Sequence, residues 1–127
     1  MMKGRILLID DNLNLTFLLS RALAKEGYEV FTENNSISAV ETARRVVPDL
    51  IVLDIIMPGK SGTEVLGELR LSRKLSHTPV ILLTGIGPEG KSISDRYHCE
   101  LLNKPVNLSA LIKEIEIHLS VAELLPT

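Results

Sequence analysis

Five side chains that could do chemistry stand at the ends of apolar runs. Asp10 and Asp11 follow the run 5–9, Asp54 follows Leu50-Ile51-Val52-Leu53, Thr84 follows 79–83, and Lys104 follows 99–103. A carboxylate at the end of a buried segment costs free energy unless something compensates it. Three crowded carboxylates repel one another and raise one another's pKa unless a cation is present. An all-oxygen donor set that retains several waters suits Mg²⁺, or Mn²⁺ in its place. Lys104 offers a fixed positive charge opposite them. A carboxylate between a divalent cation and an ammonium group is an acceptor for a phosphoryl group, because both cations neutralise the transferring oxygens. Thr84 adds a hydroxyl donor for the new phosphate.

These residues converge only if the apolar runs are parallel strands of one sheet. Short branched runs of four or five residues read as strands buried on both faces. Between them lie helical segments. Asn12 or Asn14 can cap the first, which places Leu15, Leu18, Leu19, Ala22 and Leu23 on one face and stops at Gly27. A strand over 28–32 and the turn Glu33-Asn34-Asn35-Ser36 follow, and Ser36 caps a second helix that Pro48 ends. Pro58-Gly59 turns the chain after Asp54. A third helix runs to about Lys74 with Val65, Leu66 and Leu69 inward. A weakly patterned fourth runs from about Ser92 to His98, and Asn107 caps a fifth that reaches about Glu123. Strand and helix alternate five times. This predicts a three-layer, doubly wound (βα)5 α/β fold with a five-stranded parallel sheet. Ligands of such sheets bind beyond the carboxyl ends of the strands, where the five polar groups fall.

Composition narrows the class. The 127 residues are 45% apolar and 24% charged, which suits one globular domain with its core over 3–123 and a short tail or start of a linker at 124–127. The net charge of −2 gives no pull toward nucleic acid or anionic lipid, and two Phe and two Tyr are too few for a base-stacking platform. The apolar run near the amino terminus is too short for a signal peptide or membrane span, and the single cysteine, Cys99, fits a reducing compartment, so a cytoplasmic protein is expected. Cys99 reads as a small buried or half-buried side chain. His77, His98 and His118 lie on different elements and are not spaced as a metal site.

In combination, I-D-D-N after the first strand, L-D-I-I-M-P-G-K-S-G around Asp54, L-L-T-G at Thr84 and N-K-P at Lys104 resemble a response regulator receiver domain of two-component signalling, over residues 3 to about 123. The resemblance implies a flavodoxin-like strand order 2-1-3-4-5 and a phosphorelay module in which a histidine kinase or histidine phosphotransfer protein phosphorylates Asp54 and the product engages an output partner. It implies that Asp11, Asp54 and the backbone carbonyl of Ile56 ligate Mg²⁺, with Asp10 acting through water. It makes Thr84 and Lys104 the phosphate-binding pair, with a cis peptide common before Pro105. It implies no enzyme beyond Mg²⁺-dependent self-phosphorylation from a phosphodonor and slow self-dephosphorylation.

Several positions depart from the family pattern. Leu101 stands where an aromatic switch residue is usual, so an aromatic rotamer switch is absent. Ile56 and Ile86 flank the phosphate position and should hinder attacking water, which predicts slow loss of the phosphate. Three glycines and a proline between Thr84 and Ser92 predict a short, displaced or mobile fourth helix. The last helix carries an inward stripe of Leu108, Leu111, Ile112, Ile115, Leu119 and Ala122. Ala110, Ile117, Val121 and Leu124 fall near the opposite side at about 100° per residue, a face for a second copy or a partner.

Other readings fit less well. An aspartyl phosphatase needs a second Asp two residues after the nucleophile, where this chain has Ile56. A flavin carrier needs a Ser/Thr/Gly-rich loop where it has Asp10-Asp11-Asn12. A constitutive binding scaffold leaves the complete acidic, hydroxyl and lysine set unexplained. No output domain follows Glu123, which suits a stand-alone receiver or one domain of a longer protein.

Overall fold

A computed structural model describes the backbone of residues 2–85 and 89–124 and the side chains of 2–85 and 91–120. Strands β1 (Arg5–Ile9), β2 (Glu29–Glu33), β3 (Leu50–Asp54), β4 (Val80–Thr84) and β5 (Glu100–Asn103) alternate with helices α1 (Leu13–Lys25), α2 (Ala39–Val46), α3 (Gly62–Leu71), α4 (Glu89–Tyr97) and α5 (Leu108–Leu124). All strand pairs are parallel, as the alternation predicts, and the sheet order is β2-β1-β3-β4-β5, the order that the resemblance implies.

The sheet divides the core in two because successive side chains of a strand point to opposite faces. Leu7, Ile9, Ile51, Leu53 and Leu82 pack with residues of α2 and α3, and Ile93 and Tyr97 of α4 lean on that cluster. Ile6, Leu8, Leu50, Val52, Ile81 and Leu83 pack with Leu19 and Leu23 of α1 and Leu111 and Ile115 of α5. Every residue of β3 and β4 is buried, whereas β5 at one edge has Glu100 and Asn103 exposed and only Leu101 and Leu102 half-buried. β2 forms the other edge, where Arg5 pairs with Glu29 at 2.9 Å.

Several expectations shift. In α1 the buried positions are Thr16, Leu19 and Leu23, while Leu18 is 64% exposed. Thr16 takes the inward place because its hydroxyl accepts from the Asn34 amide at 2.9 Å. Ser36 caps no long helix. Asn35 caps a 3₁₀ turn over Ser36–Ser38 through the Ile37 N–H, and α2 starts only at Ala39. The third helix stops at Leu71 rather than near Lys74, because Ser72 turns extended. Beyond it the Arg70 guanidinium donates to the Ser76 and Thr78 carbonyls at 3.3 and 2.8 Å. The fourth helix is short, at nine residues, but begins earlier than Ser92. Asn107 caps α5 as expected, its side chain accepting from the Ala110 N–H at 3.0 Å. In α5, Leu111 and Ile115 are buried and Ile112 and Leu119 half-buried, but Leu108 is exposed. On its other side Ile117 is exposed and Ala110 half-buried, and the side chains of Val121, Ala122 and Leu124 lie outside the described residues. No helix among the described residues is long and apolar enough to cross a membrane.

Candidate functional site

The strand register brings the polar residues together. Ile9 pairs with Leu53, so Asp10 emerges beside Asp54. Asp54 pairs with Leu83 and Thr84 with Asn103, so Thr84 and Lys104 emerge next along the same edge. The Lys104 N–H donates to the Thr84 carbonyl at 2.7 Å, carrying the pairing one residue past β5. The Lys104–Pro105 peptide is cis.

Asp10, Asp11 and Asp54 each present an oxygen within 4.8 Å of the others. Asp10 and Asp54 are 3% and 4% exposed, and Asp11 is open to solvent. The Lys104 ammonium lies 3.0 Å from Asp10 Oδ2 and 3.4 Å from Asp54 Oδ2, so it sits nearer the first-strand carboxylate than the proposed acceptor. Asp10 Oδ1 accepts the Asn12 N–H at 2.9 Å. Asp10 Oδ2 is buried and makes no hydrogen bond of good angle, the ammonium contact being one of charge and distance. The Ile56 N–H reaches Asp54 Oδ1 at 3.4 Å, a long contact.

Electrostatics follow from this crowding. Burial first, then the Asp10 charge, push the Asp54 carboxyl up to about 6, against the opposing pull of Lys104. Burial works to lower the Lys104 ammonium, but the close Asp10 and Asp54 carboxylates outweigh it and leave it raised. Two buried carboxylates, a third at the rim and an acceptor oxygen without a hydrogen bond make a donor set that fits a small, hard divalent cation such as Mg²⁺.

The remaining predicted residues take distinct places. Thr84 is buried at its strand end. The Ile56 side chain is 64% exposed at the mouth of the site. Leu101 is half-buried against the α4 side of the core. Pro105 is exposed, and Ile86 lies outside the described residues. Cys99 is half-buried, 3.7 Å from the Arg70 guanidinium, and burial raises its thiol despite that charge. Among the described residues His77 and His98 join no group of three potential ligands, but His118 joins Glu100 and Glu114 in a loose group whose ligand atoms lie within 4.8 Å, which spacing along the chain does not reveal.

Three further residues shape the site in ways that their sequence positions do not reveal. Gly62 is needed because a Cβ there would meet the Asp54 carbonyl oxygen at 2.3 Å and Ile55 Cα at 2.6 Å. Asn34 donates to the Asp10 carbonyl at 2.8 Å. Ser36, 2% exposed, donates to the Pro58 carbonyl at 2.5 Å and accepts from the Lys60 N–H at 2.8 Å. Both belong to a polar turn of the kind that ordinarily faces water.

The chain is similar to Protein PilH of Pseudomonas aeruginosa, at 33% identity over 117 residues, 88% of this chain and 94% of PilH. The transcriptional regulatory protein CpxR homolog of Haemophilus influenzae is 38% identical over 118 residues, 89% of this chain. The chain spans about half the length of that relative, 49%. A solved CheY-like response regulator receiver domain protein from Methanospirillum hungatei matches with a TM-score of 0.88 at 27% identity, over 97% of this chain and 98% of that one. The family model of the response regulator receiver domain matches residues 6–116.

Proposed function

The chain belongs to the response regulator receiver domain family, and from that premise we propose that Asp54 accepts a phosphoryl group from a phosphohistidine on a histidine kinase or histidine phosphotransfer protein. A carboxylate oxygen of Asp54 attacks phosphorus. The new O–P bond forms as the P–N bond breaks, and the donor imidazole leaves with that electron pair and takes up a proton from solvent. The observation that carries this reading is the buried Asp54 carboxylate set between the other carboxylates and the Lys104 ammonium 3.4 Å away.

Mg²⁺ or Mn²⁺, held by Asp10, Asp11, Asp54 and the Ile56 carbonyl, would supply positive charge against the phosphoryl oxygens. The chain's own residues do the rest. Lys104 holds a fixed charge beside Asp10 and Asp54, in reach of a phosphoryl group on Asp54. Thr84 donates its hydroxyl to a phosphoryl oxygen. Ile56 and Ile86 shield the acyl phosphate from water, and the modified protein binds its output partner without an aromatic at Leu101.

Intact mass after treatment with acetyl phosphate and Mg²⁺ tests the reading. The expected result is one added phosphoryl group in the parent, none in Asp54→Ala, and none in the parent with the metal chelated. Equal labelling of Asp54→Ala would overturn it.

A further inference from the structure

We propose that the turn after β2 is the positioning element of the acidic site, with Asn34 and Ser36 as its two positioning residues. The proposal rests on reading Asp10, Asp11 and Asp54 as a divalent-cation site. β2 itself delivers no group to that site, yet the turn that leaves it reaches both loops that do.

The turn is fixed from within. The Glu33 carboxylate accepts from the Asn35 N–H at 3.0 Å and from the Thr42 hydroxyl at 2.5 Å, tying the turn to α2. The Asn35 side chain accepts the Ile37 N–H at 3.1 Å. The Asp10 N–H donates to the Glu33 carbonyl at 3.2 Å. From this base the Asn34 amide donates at once to the Asp10 carbonyl, 2.8 Å away, and to the Thr16 hydroxyl, 2.9 Å away. Those two acceptors stand on either side of Asp11 in the chain. Asn34 therefore fixes the corner from which the solvent-facing Asp11 carboxylate projects.

Ser36 does the same for the loop leaving Asp54. Its hydroxyl is both donor, to the Pro58 carbonyl, and acceptor, from the Lys60 N–H. Gly59 between them has φ of +86°, and a Cβ there would come within 2.9 Å of Ser36 Oγ. The loop that carries the Ile56 carbonyl is thus drawn over one buried hydroxyl. Pro58 is exposed, so its carbonyl would find water if the hydroxyl were removed. Loss of Ser36 Oγ therefore releases the loop's geometry more than it unfolds the chain. Partners one shell out from a metal orient its ligands, and removing them costs affinity rather than the site itself.

The experiment is a calorimetric Mg²⁺ titration of the parent, Ser36→Ala, Asn34→Ala and the remote core variant Ile115→Ala, each with its urea unfolding curve and its Lys60 amide exchange rate. The parent and Ile115→Ala are expected to share one Kd although Ile115→Ala is less stable. Ser36→Ala and Asn34→Ala are expected to bind about tenfold more weakly while still folded, and the Lys60 amide of Ser36→Ala to exchange faster. Binding in the parent with an unchanged Kd in both turn variants overturns the proposal alone. No binding in the parent removes the cation reading and the proposal together.

Discussion

Asp54 ionises against its surroundings. Its pKa is raised from 3.8 to about 6 by burial and by Asp10, so the folded state holds a proton that the unfolded chain has released between those values. Stability therefore falls as pH rises through that window, by about 1–3 kcal/mol in the metal-free protein. Asp54→Asn should lack this slope and should melt above the parent near neutral pH, and thermal melts of both with chelator across about pH 4 to 7 check it. Added Mg²⁺ should narrow the gap, because a bound cation compensates the charge that burial penalises. The proposed acceptor was legible in the sequence because a lone Asp after a buried apolar strand demands a partner, and the other strand ends supplied them. Asn34 and Ser36 were not legible, because a polar residue in a polar turn carries no sign that it is buried. Only the fold reveals that Ser36 spends both hydrogen-bonding functions on a neighbouring loop.

The elements obey their patterns where burial is one-sided and depart from them where a side chain has other work. The strands were readable almost to the residue, since β1, β3 and β4 are short apolar runs with polar ends, and the alternating β2 shifts by only one residue, from 28–32 to Glu29–Glu33. Helix ends were less so. Periodicity carried the third helix past Leu71, but Ser72 is extended and Arg70 gathers the following carbonyls into an irregular loop. In α1, Leu18 looks inward by spacing, yet Thr16 claims the buried side through Asn34. The start of α3 is the least forgiving point. Its first residue, Gly62, donates its N–H to the Ile55 carbonyl at 2.6 Å and lies against the Asp54 backbone. Gly62→Ala should cost about 3 kcal/mol, because backbone rather than a flexible side chain must move. It should also perturb Asp54, and urea unfolding together with the amide shifts of residues 54–56 would show both effects.

At the scale of the molecule, one sheet serves two cores. Leu7 and Leu8 are neighbours in β1, both buried, and belong to opposite clusters. Leu7→Ala and Leu8→Ala should each cost about 2–5 kcal/mol, the ordinary cost of a leucine-sized cavity. Each should shift a single unfolding transition rather than split it, since the strand joins the clusters. Coincident urea curves followed by circular dichroism and tyrosine fluorescence check this, and two resolved transitions would contradict it. The sheet also has two open borders. β5 is only four residues long with Glu100 and Asn103 exposed, and β2 carries Glu29 and Glu33. Short, charged border strands are poor templates for a strand from another molecule. The same strands that frame the sheet therefore guard the protein against edge-to-edge polymerisation when it is crowded, although their carboxyl ends meet the acidic site, β5 through the following Lys104 and β2 through the bond from the Asp10 N–H to the Glu33 carbonyl.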